Sequence, residues 1–144
     1  DNILINSARE GLHIDNSSYN IIRHNIVYND YQGIGITGSA SNNVIIGNNC
    51  FNCMQQAIIL VTSSQNTITG NVCCNNGTAQ IWLYSSSNYN TVTGNICIRD
   101  AGYDSSQYTI RLSSSNNNIV LGNQCKGKAP TISGTGNITE HNMV

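Results

Sequence analysis

The chain has 144 residues, 6 basic and 7 acidic side chains, and only 9% charged positions, against about 25% in an ordinary soluble domain. This balance lacks the clustered Lys and Arg of a nucleic-acid binder, and no apolar run approaches the ~20 residues of a bilayer span. With 24 Asn, 16 Ser and 11 Thr beside 20 Ile and 7 Val, the composition disfavours both helix and disorder and favours strands divided by polar turns.

In chain order one signature recurs: Asn, two or three β-formers, usually Gly, Asn, any residue, then an apolar residue or Cys. It opens as a degenerate NILINSA (2–8) and continues as NIIRHNIV (20–27), NVIIGNNC (43–50), NTITGNVC (66–73), NTVTGNIC (90–97) and NIVLGNQC (118–125). A last copy, NITEHNMV (137–144), closes the chain. The leading Asn falls at 2, 20, 43, 66, 90, 118 and 137. Upstream of each full copy stands a second short strand: LHID (12–15), IGIT (34–37), IILV (58–61), IWLY (81–84) and IRLS (110–113). Polar corners such as SSSNYN (85–90) follow these strands, and an insert, IRDAGYDSSQY (98–108), accounts for the longest step. Strands this short at such regular spacing read as a coil in which each strand pairs with its equivalent one turn later. The expectation is an all-β parallel β-helix (solenoid) of about six coils, three short strands per coil, forming one domain over residues 1–144. At about 4.8 Å per coil the rod is near 29 Å long. Both ends stop in mid-pattern without a capping helix, so the chain reads as a segment of a longer β-helix, or one capped by neighbours.

These SSxxNxIxGNxC runs resemble the right-handed parallel β-helix repeat superfamily, which includes pectate-lyase-like enzymes, periplasmic copper-maturation proteins, archaeal surface proteins and phage tailspikes. The resemblance covers essentially the whole chain. It implies a right-handed coil with an Asn ladder at the turn between the second and third strands, where Asn25, Asn48, Asn71, Asn95 and Asn123 match. It also implies that the outer face of the first strand forms a polysaccharide groove. The same fold serves many activities, so the resemblance speaks to scaffold more than to chemistry.

Alternation along the strands assigns the faces. Leu12/Ile14, Ile34/Ile36, Ile58/Leu60, Ile81/Leu83 and Ile110/Leu112 are expected inside, with Ile22, Ile45, Ile68, Val92 and Val120, each burial contributing roughly 1.5–3 kcal/mol. Cys50, Cys73, Cys97 and Cys125 share the repeat position of Val27, which suggests a buried thiol stack. A disulfide between stacked neighbours and a metal site are the alternatives. Cys53 and Cys74 fall off that ladder, on neighbouring loops, where they could pair. No zinc-type spacing, calcium repeat or lyase-type Asp cluster is present, so no metal and no cofactor are expected.

The outward first-strand residues run His13/Asp15, Gly35/Thr37, Ile59/Val61, Trp82/Tyr84 and Arg111/Ser113. Trp82 and Tyr84, flanked by Arg111, suit sugar rings whose apolar faces stack while their hydroxyls take polar groups. Tyr31 beside them, and Arg99 and Tyr103 of the insert, complete the candidate binding residues. The catalytic candidates are His13, Asp15, Asp30, Asp100 and Asp104, because glycosidic hydrolysis usually needs two carboxyl groups ~5–9.5 Å apart. The flat outer second strand, with its Thr67/Thr69 and Thr91/Thr93 rungs, suits packing against another rod better than ice.

The expected function is an extracellular, cell-surface or virion-associated module that binds, and in one reading processes, a polysaccharide. The alternatives are a structural segment of a fibre, tailspike or surface-layer protein, and a complete polysaccharide lyase, epimerase or hydrolase. Expected partners are a glycan, a homo-oligomer (a trimer, as in fibres) or flanking coils. Neither nucleic acid nor membrane insertion is expected.

Overall fold

The computed structural model describes residues 1–100 and 106–144, all in strands, turns and irregular chain, with no helix. Three parallel sheets of six strands each wrap one core. Sheet 1 contains Glu10–Asp15, Gln32–Thr37, Gln56–Val61, Ala79–Tyr84, Tyr108–Ser113 and Thr131–Ile132. Sheet 2 contains Ile21–Arg23, Val44–Ile46, Thr67–Thr69, Thr91–Thr93, Ile119–Leu121 and Ile138–Glu140. Sheet 3 contains Ile3–Ile5, Ile26–Tyr28, Asn49–Phe51, Val72–Cys74, Ile96–Ile98 and Gln124–Lys126. Each strand pairs with its equivalent in the next coil, so the molecule is the expected parallel β-helix of about six coils.

One register differs from the sequence reading. Ile3–Ile5 pairs with Ile26–Tyr28 in sheet 3, so NILINSA is a third strand and Asn2 corresponds to Asn25, not to Asn20. The main-chain N–H of Asn2 donates to Asn25 Oδ1 at 3.0 Å. The apparent first step of the leading Asn was therefore a step between two different corners. Both corners carry asparagine, which hid the shift.

Two complete asparagine ladders bind the coils. At the corner between sheets 2 and 3, Asn2, Asn25, Asn48, Asn71, Asn95, Asn123 and Asn142 each pass main-chain and side-chain N–H to the next Oδ1. At the corner between sheets 1 and 2, Asn20, Asn43, Asn66, Asn90, Asn118 and Asn137 do the same. Buried main-chain groups at these tight turns would otherwise lack partners, and the carboxamide offers both a donor and an acceptor. From Asn25 on, the residue before each asparagine of the ladder between sheets 2 and 3 is left-handed: Gly70 has φ +63° and His24, in the equivalent place, +53°. A side chain is strained there and glycine is not.

The interior follows the predicted alternation. Ile34, Ile36, Ile58, Leu60, Ile81, Leu83, Ile110 and Leu112 from sheet 1 meet Ile22, Ile45, Ile68, Val92 and Val120 from sheet 2. Cys50, Cys73, Cys97 and Cys125 stand in direct register on sheet 3 and are fully buried. Cys53 sits buried at a turn, but Cys74 ends the strand Val72–Cys74 instead of lying in a loop.

Candidate functional site

Sheet 1 has the longest strands, six residues in five of its coils, so its outer face presents two outward columns. In register these are His13/Gly35/Ile59/Trp82/Arg111 and Asp15/Thr37 followed by Val61/Tyr84/Ser113. The two ends of the face are chemically different.

At the later coils the face is aromatic and cationic. Trp82 and Tyr84 have ring centroids 5.2 Å apart, tilted by 56°. The Arg111 guanidinium lies 4.5 Å from the Trp82 centroid and 4.5 Å from that of Tyr108, and Lys128 Nζ is 3.9 Å from the Tyr108 ring. The indole Nε1–H donates to Ser113 Oγ at 3.1 Å. Tyr84 is 44% exposed, whereas Ile59, outward but between Trp82 and Gly35 in register, is only 7% exposed. Stacking Arg over rings is favourable because the cation meets the negative ring face. Sequence reasoning counted Tyr108 only within the insert and passed over Lys128, because each reaches the site through coil stacking that no local pattern announces.

At the first coils the face is polar. Thr37 Oγ1 donates to Asp15 Oδ1 at 2.9 Å and contacts His13 Nε2 at 2.8 Å. A hydroxyl has one hydrogen, and here Asp15 takes it, so His13 donates through Nε2–H. His13 Nδ1 is 4.0 Å from Glu10 Oε2. Gly35 makes room for this group: a Cβ there would meet Glu10 Cγ at 3.2 Å and His13 Cδ2 at 3.5 Å. Four coils at about 4.8 Å separate Asp15 from Ser113 and His13 from Arg111, roughly 19 Å.

The other candidates are not gathered here. Asp30, a catalytic candidate that would need an exposed carboxyl, is instead fully buried. Its Oδ1 accepts the Ser7 N–H, and its Oδ2 has no partner. Asp100 accepts from Asn75 Nδ2 at 2.8 Å and pairs with Lys126 at 3.5 Å. The Asn75 hydrogen bond and the Lys126 charge hold its carboxyl below the usual range. Arg99 donates to the Gln107 and Gly127 carbonyls, stapling the insert to the following coil. Tyr31, half-exposed, accepts from Gln55 Nε2 at 2.6 Å. Tyr103 and Asp104 lie outside the described residues. An open pocket of about 350 Å³ at the first coil, lined by Leu12, Ile14, Ile22 and Asn25, contains none of the candidate catalytic or binding residues.

All six cysteines are free thiols. Hydrogen bonding to Cys73 and burial push the Cys50 thiol well above its ordinary value. At Cys73 a hydrogen bond with Cys50 acts downward, but the contact with Cys97 and burial outweigh it. Burial takes Cys53 up to about 12. Among the described residues no three His, Cys, Asp or Glu side chains converge to hold a metal ion.

The profile of one family, periplasmic copper-binding protein (NosD), matches residues 1–142. The chain belongs to the NosD family. Comparison with curated proteins and with solved structures gives no match. The NosD match runs through every coil, both asparagine ladders and the outer face of sheet 1. The periplasmic description of the NosD family agrees at a coarse level with the exported location expected from the sequence, and nothing in it points to a virion.

Proposed function

We propose that this chain is an exported β-helix module, periplasmic or at the cell surface, that binds a polysaccharide along the outer face of sheet 1. The observation that carries this reading is the outward Trp82 ring, fixed by Ser113 and flanked by Tyr84 and Arg111. A half-buried indole fixed on a rigid strand offers a sugar ring an aromatic surface to pack on. The Thr37–Asp15–His13 group at the other end offers donors and acceptors for sugar hydroxyls.

The family description names copper, and the residues present do not fit it. The four stacked thiols that would suit a soft metal are enclosed in the core, where burial and mutual hydrogen bonding push Cys50 and Cys73 well above their ordinary value, and the half-buried Cys74 belongs to no metal-holding group among the described residues. His13, His24 and His141 face Glu10, Asp1 and Glu140 separately. The polysaccharide reading therefore uses no metal.

A second reading, a structural segment that packs against another rod, is favoured by the outer face of sheet 2, where Ile21 at one end and Ile119, Leu121 and Ile138 at the other are exposed, with the Thr67/Thr69 and Thr91/Thr93 rungs between them. A flat β-branched face with exposed apolar residues suits an interface. Screening the chain against immobilised glycans, with Trp82→Ala beside it, tests the first reading. Binding lost in the variant supports it. A stable trimer that binds no glycan supports the second.

A further inference from the structure

We infer that the sugar seated against Trp82 carries an acid group, a carboxylate or a sulfate, received by Arg111. This rests on the polysaccharide reading and narrows it to a class of glycan. The Arg111 guanidinium lies over two rings, 4.5 Å from each centroid. A guanidinium stacked in this way keeps its N–H edge for a ligand, and that edge matches the two oxygens of an acid group. Among the described residues no carboxylate pairs with Arg111: the ion pairs involve Arg9, His13, His24, Lys126 and His141. A second cation, Lys128 Nζ, stands 3.9 Å from the Tyr108 ring centroid.

The opposite end of the face carries two carboxylates, of which Glu10 is paired with Arg9 at 3.9 Å. Glu10 and Asp15 lie on the first strand of sheet 1, about 19 Å away, beyond the ~8 Å screening length of physiological salt. The cationic end is therefore not neutralised by them, and an acid at the far end is repelled. A glycan with an acid sugar at Trp82–Arg111 and neutral sugars running toward Ile59 and Thr37 fits this distribution. Arg111 and Trp82 then divide the work: the ring holds the sugar, and the cation selects the charge.

The test uses the whole chain and matched pairs of oligosaccharides: hyaluronan, alginate and a sulfated galactan, each beside its carboxyl-reduced or desulfated counterpart. Calorimetric titration at low and at 0.5 M salt (roughly 30 to 4 Å screening) reads the affinity. The expected result is that at least one acidic form binds about tenfold or more tightly than its neutral counterpart. That advantage shrinks in high salt and disappears in Arg111→Met, while Trp82→Ala weakens both forms. Whether the preferred acid is carboxylate or sulfate follows from which pair shows the effect. If neutral and acidic forms bind alike, or the advantage survives Arg111→Met, the inference is wrong although the chain still binds glycan. If no form of any pair binds, the polysaccharide reading fails and this inference fails with it.

Discussion

Trp82 and Ser113 are joined across neighbouring coils by an indole N–H that donates to the serine hydroxyl at 3.1 Å. The bond holds the ring outward while Leu83, the next residue, points into a column it shares with Leu60 and Leu112. Trp82→Ala should weaken glycan retention and leave the urea unfolding midpoint nearly unchanged. Leu83→Ala should cost ~2–5 kcal/mol of stability, because it opens a cavity among stacked aliphatic side chains. Equal destabilisation by both variants would show that Trp82 serves the fold.

Asn71 tests the ladder. Its Nδ2 donates to Asn95 Oδ1, Ile45 O and Thr69 O, and its Oδ1 accepts from the main chain and side chain of Asn48. Asn71→Ala strands several buried groups at ~1–3 kcal/mol each, so a loss of about 3 kcal/mol or more is expected in denaturant unfolding. Asn71→Asp keeps the acceptor without the donor and should also destabilise. A loss under about 1 kcal/mol in both would mean that the ladder is ornamental.

Asp30 occupies the corner position that Asn76 holds two coils later. Asn76 Nδ2 donates to Cys50 O and Cys74 O, whereas Asp30 Oδ2 has no partner. Asp30→Asn should therefore raise the melting temperature, with about 1–3 kcal/mol gained from satisfying a buried group. A lower melting temperature would show that the carboxylate serves a purpose the asparagine cannot.

The thiols set a limit at alkaline pH. Cys53 keeps its proton up to about 12 in the folded chain, whereas an unfolded thiol ionises near its ordinary value, about 8.5. Folding stability from this group is complete below the unfolded value and is lost as pH rises toward 12. Urea midpoints should fall between pH 9 and 11, and fall less in Cys53→Ala. At pH 8 a thiol reagent should label Cys74, which is half-buried, well before the other five. Rapid labelling of all six would contradict the stacked core.

The repeats made most of the fold legible, because a period of 23 or 24 residues and strict alternation leave few other ways to bury Ile45, Ile68 and Val92 together. The slip at Asn2 arose because two corners carry the same residue, so a fragment of one repeat reads as the start of another. The site was half legible. Trp82, Tyr84 and Arg111 declared themselves by alternation on known strands. Tyr108 and Lys128 did not, since their approach depends on where an irregular loop returns to the coil. Asp30 misled for a related reason: a loop position in sequence is a buried corner once the next coil covers it.

The ladders have a direction. From Asn2 to Asn123, each main-chain N–H of the ladder finds its acceptor on the coil that follows, while the side-chain amides from Asn48 on also reach back to a carbonyl of the coil before. A chain emerging from its N-terminus thus leaves its newest coil with an open donor until about 23 more residues have arrived, one repeat as spaced from Asn2 to Asn25. Every coil is finished by its successor, so closure should advance along the rod one turn behind the growing end.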